Sequence, residues 1–511
     1  MKNKFYILLT ALIFFILTIC NFIWLKIDIR PPHWDFAIHL SNIFDYFDLL
    51  EKNEIISLIT YFNYHPPQFN NYYPPLSYYL TISTYKLFGI GEDIAVLSLT
   101  PFLAIIIFSI YKIGQTLKNN KLGFLMVVSL VGMPFLMSQT REYQLDFPLT
   151  AMVSLNLYLF LKTNLFKNRK FSIIFGLVSG LAMLTKWTYS IFFIGILITG
   201  MVFVKKKNSF IIFKNYLIVF VMMLIISGPW YINNLPVLKQ TLGKNITIAI
   251  NEHDPNILTK ESSLWYANSI YKDHLRFPLL IFNVVGLIYL IKDRKKLSKI
   301  LQLTFISLFY LLIMTLYRNK DPRFIEPLTP IFSIFACFWI LELKNSFFRK
   351  ILIISLILLS AFNYYSASFG FVKLPIVLES RFLGKNIIWF KQYGYTLGPP
   401  KKENWHLKEI FNEMTGVSKR TLFLVNEDKM FLNIFNILYY QRLFSKYLIG
   451  INVGDGRCKN TMINYYYLVV NDIPESKLLN ECKIISNNFY KNKEFYLPDN
   501  SVVVIFKKKI Y

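Results

Sequence analysis

The chain has 511 residues, of which 54% are hydrophobic and 17% aromatic, a balance too apolar for a soluble protein of this length. A formal net charge of +26 would suit nucleic acid, but many of the cations fall in short runs between apolar segments: "LKNNK", "FKNRK", "VKKKN", "IKDRKKLSK" and "LKNSFFRK". That placement follows the positive-inside rule of membrane proteins and argues against a nucleic-acid partner, while the excess of cations also suits an anionic lipid surface.

The first apolar segment, "FYILLTALIFFILTICNFIWL", runs from Phe5 to Leu25. At 1.5 Å per residue it crosses about 30 Å of hydrocarbon, and it is too long, and too poor in small residues at its end, for a typical cleaved signal peptide. Lys2 and Lys4 place the N-terminus in the cytoplasm. Hydropathy then predicts about eleven spans, near 5–26, 94–114, 121–139, 147–163, 171–186, 187–204, 210–229, 277–292, 298–317, 327–343 and 350–369. With that count all five basic runs lie inside and the C-terminus lies outside. "PPLSYYLTISTYKLFG", Pro74 to Gly89, is short, aromatic and interrupted by Lys86, so it reads as an interfacial helix closing a first external loop, 27–93.

Beyond residue 370 the pattern changes. "RTLFLVN", "KYLIGINV", "NYYYLVVN" and "SVVVIF" read as strands, and "ENWHLKEIFNEM" and "DKMFLNIFNILYY" as helices. The expected architecture is a polytopic α-helical membrane module, 1–369, followed by an extracytoplasmic α/β domain, 370–511. Cys20 and Cys337 lie in apolar segments; Cys458 and Cys482 lie in the polar region, where a disulfide and free thiols both fit.

The polar residues beside the spans sort to one face. "SQTREYQLDFP", Lys186 in "LTKWTY", "GPWYINN" and "YRNKDPRFIEP" all reach the outer side, as do all six histidines, His33, His39, His65, His253, His274 and His406. A charge at a helix centre costs about 2.5–3.5 kcal/mol, so a cluster converging on one face points to a site.

Asp35 comes first among the candidates, about eight residues past the first span. Two roles fit it: general base on an acceptor hydroxyl, or cap of the helix "FAIHLSNIFDYFDLL" that follows, and spacing alone favours the cap. His33, Asp35 and His39 form an H-x-D-x-x-x-H pattern that could hold a divalent metal through Asp35 and His39, though one loop with three such residues is a weak signal. Arg141, Glu142 and Asp146 occupy a short turn, equally consistent with a local ion network and with a functional loop. Lys186 could snorkel to the interface or meet a phosphate there. Arg318, Lys320 and Arg323 are external cations that need lipid headgroups or a bound phosphate.

Taken in order, the first-loop Asp35, "YYPPLSYYL", "REYQLDFPLT", "GLVSGLAMLTKWTY", "SGPWYINN" and "DPRFIEPLTP" resemble the C-type glycosyltransferases of the protein O-mannosyltransferase and lipid A aminoarabinose transferase superfamily, over roughly residues 1–350. The resemblance implies transfer of a sugar from a polyprenyl-phosphate donor to a lipid, glycan or protein acceptor at the extracytoplasmic face of a bacterial inner membrane, inverting and without a required cofactor. It casts Asp35 as base, Asp146 as the second-loop acid, and Lys186 and Arg323, with Arg141, as phosphate contacts. Trp34, Tyr72, Tyr73, Trp230 and Tyr231 are candidates to pack on sugar or prenyl chain, though each alone reads as an interfacial aromatic. The chain departs from the pattern at Phe36, where a glutamate often follows the aspartate, and at Tyr73, where a lysine is common. Two other classes remain as alternatives: a lipid-linked glycan transporter or flippase, for which no inverted repeat is evident, and a polymerase or ligase of the O-antigen type. The reading implies that Asp35, Asp146, Lys186 and Arg323 share one pocket.

Overall fold

A computed structural model describes residues 2–52, 73–204, 209–292, 297–372, 376–380, 385–390, 398–413, 421–425, 429–444, 448–452, 467–472 and 489–509. His65, Tyr72, Cys458 and Cys482 lie outside them. The chain divides into two compact units: Met1–Trp24 with Leu49–Pro399, and Leu25–Asp48 with Pro400–Tyr511.

The first unit is helical, and the fold is that of a multi-pass membrane protein. Among the described residues, seven helical segments are long and apolar enough to cross a bilayer: Lys4–Ile27, Glu92–Leu117, Phe210–Asn251, Lys260–Lys292, Ser298–Leu316, Pro322–Glu342 and Ser346–Phe369. Asn120–Val131 and Tyr189–Val202 are shorter apolar helices. Asp146–Thr163 and Arg169–Met183 form a helical hairpin between them. Asparagines start several of these helices: Asn119 accepts from the Leu122 amide at 3.0 Å, Asn168 from Phe171 at 3.2 Å, and Asn345 from Phe347 at 2.9 Å.

Several predicted boundaries move, each for a local reason. The span expected at 121–139 breaks at Gly132 and Met133, because Pro134 has no amide to continue the ladder; a second helix, Pro134–Gln139, follows. The span expected to end near 229 belongs to one helix, Ser209–Asn251, that runs through Pro229 and Pro236. "GPWYINN" is therefore helical rather than a loop. The segment expected at 327–343 is a 3-10 turn, Pro322–Leu328, then Thr329–Cys337 and a second 3-10 turn, Trp339–Glu342.

Several helix crossings are close enough to require glycine, and two of them bear on the site. A Cβ on Gly180 would sit 2.5 Å from Ile226 Cβ, which seats the hairpin on the long helix. A Cβ on Gly286 would sit 2.0 Å from the Phe335 carbonyl oxygen, so Arg276–Lys292 and Thr329–Cys337 touch through their backbones there.

In the same unit, β1 (Ile376–Ser380) and β2 (Lys385–Phe390) pair antiparallel. The second unit holds a five-stranded sheet built from β3 (Thr421–Val425), β4 (Leu448–Asn452), β5 (Tyr467–Asp472), β6 (Phe489–Tyr496) and β7 (Val502–Lys508) in the order β4-β3-β5-β7-β6. β3 is parallel to both β4 and β5, whereas β7 is antiparallel to β5 and β6. The β3–β4 crossover carries the helix Ile434–Leu443, as a parallel pair requires. Asn433 and Asn436 close a capping box at that helix's start.

The first-loop helix, Trp34–Lys52, begins in this unit. Asp45 pairs with Arg442, and the Phe44 ring lies 6.0 Å from Tyr439. Just before it, Asp28 accepts from Arg30 at 2.7 Å and from the Lys401 amide at 2.8 Å. Burial pushes the Asp28 carboxyl up, against the pull of Arg30. The linear reading had placed 25–48 with the membrane module; by contacts it packs with the C-terminal segment.

Candidate functional site

Asp146 is the first residue of Asp146–Thr163, and Lys186 lies in the turn that follows Arg169–Met183. The hairpin returns the chain to its starting level, so the two side chains meet. Lys186 Nζ donates to Asp146 Oδ1 at 2.6 Å, with both residues buried. The Lys186 ammonium also lies 5.5 Å from the Phe324 ring centroid.

Three further segments converge on this turn. The Leu76 amide, just after Tyr73-Pro74-Pro75, donates to the Leu184 carbonyl at 2.9 Å. Tyr231 donates its hydroxyl to the Met183 carbonyl at 2.8 Å. Arg323 reaches the second loop through Gln144, whose Oε1 accepts from Nη1 at 3.1 Å, and its Nε and Nη2 are held by Asp321 at 3.0 and 2.6 Å. Arg323 is thus a cation fixed in orientation by a carboxylate, and its contact Gln144 lies two residues before Asp146 in sequence.

Other sequence-predicted residues have different surroundings. Arg141 is buried, donates to Ser368 Oγ at 2.9 Å and stacks 5.2 Å over the Trp24 ring, which ties the second loop to the last span. Trp230, a candidate to pack on sugar or prenyl chain, is 1% exposed, packs edge-on to Tyr231, and its Nε1 has no hydrogen-bond partner among the described residues. Tyr73 is partly buried. Lys320 does not face a headgroup: its Nζ caps the end of Ser298–Leu316 through the Thr315 and Met314 carbonyls at 2.7 and 3.2 Å. Burial lowers its pKa to about 8, opposed by Asp254.

Asp35 and His39 belong to the second unit. The helix there starts at Trp34, so Asp35 sits inside the first turn and is not the N-cap that spacing favoured. Its negative charge suits the positive helix end. Asp35 is partly buried, and His39, four residues on, is buried. Among the described residues, no three His, Cys, Asp or Glu side chains are grouped to hold a metal ion.

The structure adds residues that sequence reasoning missed. Glu326 is fully buried in the 3-10 turn, within electrostatic reach of Asp146, Lys186 and Glu142. A carboxylate just before two prolines of an apolar run, "FIEPLTP", was the available signal. His274 is buried in a π-helical turn, Ile270–Leu275, with Nε2 3.0 Å from the Pro322 carbonyl and its ring 4.7 Å from Phe135. A single π turn inside a helix frequently marks a functional site, and nothing in a local residue pattern announces it.

Residues 72–232 match the protein family described as dolichyl-phosphate-mannose-protein mannosyltransferase. No curated protein sequence matches the chain. The fold is shared with ArnT from Cupriavidus metallidurans bound to undecaprenyl phosphate, at a TM-score of 0.62 and 14% identity over 98% of each chain. The apo state of the same protein matches at 0.62 and 14%, over 99% of this chain and 98% of that one. The family match over residues 72–232 supports the resemblance drawn from the motifs, and the two solved structures show a shared fold.

Proposed function

We propose that this chain is a membrane glycosyltransferase that takes a sugar from a polyprenyl-phosphate donor and passes it to an acceptor hydroxyl. The observation that carries this reading is the gathering of "PPL", "REYQLD", "LTK" and "PWY", which lie in the matched residues 72–232, and of "DPRF", which lies beyond them, around the Lys186–Asp146 pair. The shared fold with a protein that binds undecaprenyl phosphate supports the donor class.

The chemistry follows from the residue types. The resemblance casts Asp35 as the base that takes the proton from the acceptor hydroxyl as that oxygen attacks the anomeric carbon. The bond to the phosphate oxygen breaks from the opposite face, so the sugar inverts. A phosphate leaving group needs no general acid, only fixed positive charge, and Lys186 and Arg323 supply it. Asp146 keeps the Lys186 ammonium in place between turnovers, and Asp321 does the same for Arg323. Tyr231, partly buried and bonded to the Lys186 turn through Met183, offers an aromatic face to sugar or prenyl chain, with Trp230 packed behind it.

The test is transfer from a labelled polyprenyl-phosphate sugar in proteoliposomes, with donor alone and then with lipid, glycan and peptide acceptors. Asp35→Asn is expected to cut turnover by at least about 10²-fold, the usual contribution of a positioned base. Substantial residual turnover counts against the base assignment. Product chains made from donor alone indicate a polymerase, and movement of intact donor across the bilayer without transfer indicates a flippase.

A further inference from the structure

A second pocket lies beside the Arg323 turn, and none of the predicted site residues lines it. Its volume is about 580 Å³, inside the range of roughly 300–1,000 Å³ typical of small-molecule sites. One wall is Pro322, whose carbonyl bonds His274 and whose neighbour is Arg323. The other wall is the helix Lys260–Ser269 and the π turn that continues it.

The lining residues have a pattern. Glu261, Trp265, Asn268 and Lys272 recur at intervals of four, three and four, so they form one helical face. The wider π turn then brings Asp273 onto the same pocket, where Ser269 Oγ donates to its Oδ2 at 2.7 Å and orients the carboxylate. Glu261, Asn268 and Lys272 are exposed and Trp265 is half-buried, so the pocket opens at the protein surface.

These side chains define the occupant. Lys260 and Lys272 balance Glu261 and Asp273, which leaves no net charge for an anionic group such as a phosphate. The polar groups are too many for a prenyl chain. An indole face beside amide and carboxylate groups fits a ring with one apolar face and a rim of hydroxyls. We infer that the pocket binds a neutral saccharide, which in the transfer reaction proposed above is the sugar end of a glycan acceptor. That last assignment rests on the transferase reading; saccharide binding itself does not.

The experiment is saturation-transfer NMR on the full-length protein in nanodiscs, with methyl α-mannopyranoside, maltotriose and methyl glucuronide as probes. A neutral probe should receive saturation, more strongly than the glucuronide. Trp265→Ala should weaken that binding at least about fivefold, as removal of an aromatic anchor does. Asn268→Ala, on an exposed position, should weaken it with the thermal transition unchanged. No saturation of either neutral probe, a preference for the glucuronide, or unchanged binding in both variants overturns the inference. Loss of glycosyl transfer with saccharide binding retained counts against the transferase reading alone.

Discussion

Two Asp–Lys pairs in this chain have the same length and opposite surroundings. Lys186–Asp146 and Lys429–Asp499 both close at 2.6 Å, but the side chains of the first are 8% and 5% exposed, those of the second 20% and 30%. The Lys429 pair keeps contact with water and contributes little. For the Lys186 pair, removing two charges from water costs several kcal/mol per ion, a cost their attraction offsets only with good geometry. Retention of such a pair is poorly explained by stability. A turn that must keep a cation ready for an anionic ligand explains it better.

The largest expected effect breaks the buried pair from one side. Lys186→Met strands the Asp146 carboxylate and should lower stability by about 3–5 kcal/mol, read as the unfolding transition of the protein in detergent. Asp146→Leu with Lys186→Met sharpens the contrast. The double variant should recover most of that stability, since an apolar replacement of both partners is often neutral or better, while glycosyl transfer stays lost. Recovery of transfer along with stability would falsify the functional reading of the pair.

A middle effect is expected at the neighbouring cation. Arg323→Lys keeps the charge but removes the fork that bonds Asp321 and Gln144, and should raise the donor KM about tenfold with folding intact. In the second unit the expected losses are smaller. Asn433→Ala removes the capping box and should cost about 1 kcal/mol.

The smallest effect is at the exposed pair, where Lys429→Met should cost less than about 1 kcal/mol. Its signature is pH dependence. Burial pushes the Asp499 carboxyl up, but the bonds from Lys429 and Ser501 outweigh it and hold the group below its ordinary value of 3.8. The unfolded chain therefore binds the proton first, so this contribution is present above pH 3.8 and is lost as the pH falls through the lower folded value. Thermal melts of wild type and Lys429→Met, compared from neutral to acid pH, should converge at the acid end.

What the sequence showed in advance was local. Hydropathy located the apolar helices, and the tight "LTK" turn marked Lys186, because a lysine between two apolar segments has few places to go. Strand and helix patterns after residue 420 found β3, β4, β5 and β7 and the helix between β3 and β4. Long-range features escaped it. Hydropathy ended a span near 229, yet the helix continues through Pro229 and Pro236 to Asn251, since a helix packed among others tolerates missing donors. Glu326 lay inside the external motif "YRNKDPRFIEP" without being singled out, and the packing of Asp45 on Arg442 depends on residues 397 positions apart.

The turn at Asn164, Leu165 and Phe166 has a consequence for how the protein is made. All three residues have left-handed backbones, with φ of 51°, 57° and 60°, unusual for leucine and phenylalanine. Phe166 lies wholly buried, 4.7 Å from the Tyr216 ring, with its carbonyl bonded by Asn215. Phe160 and Phe175 flank the Phe166 ring from nearby in the chain, but the Asn215 contact comes from 49 residues further on and cannot form until that segment has been made. It then clamps the far end of the hairpin whose other end pairs residues 146 and 186.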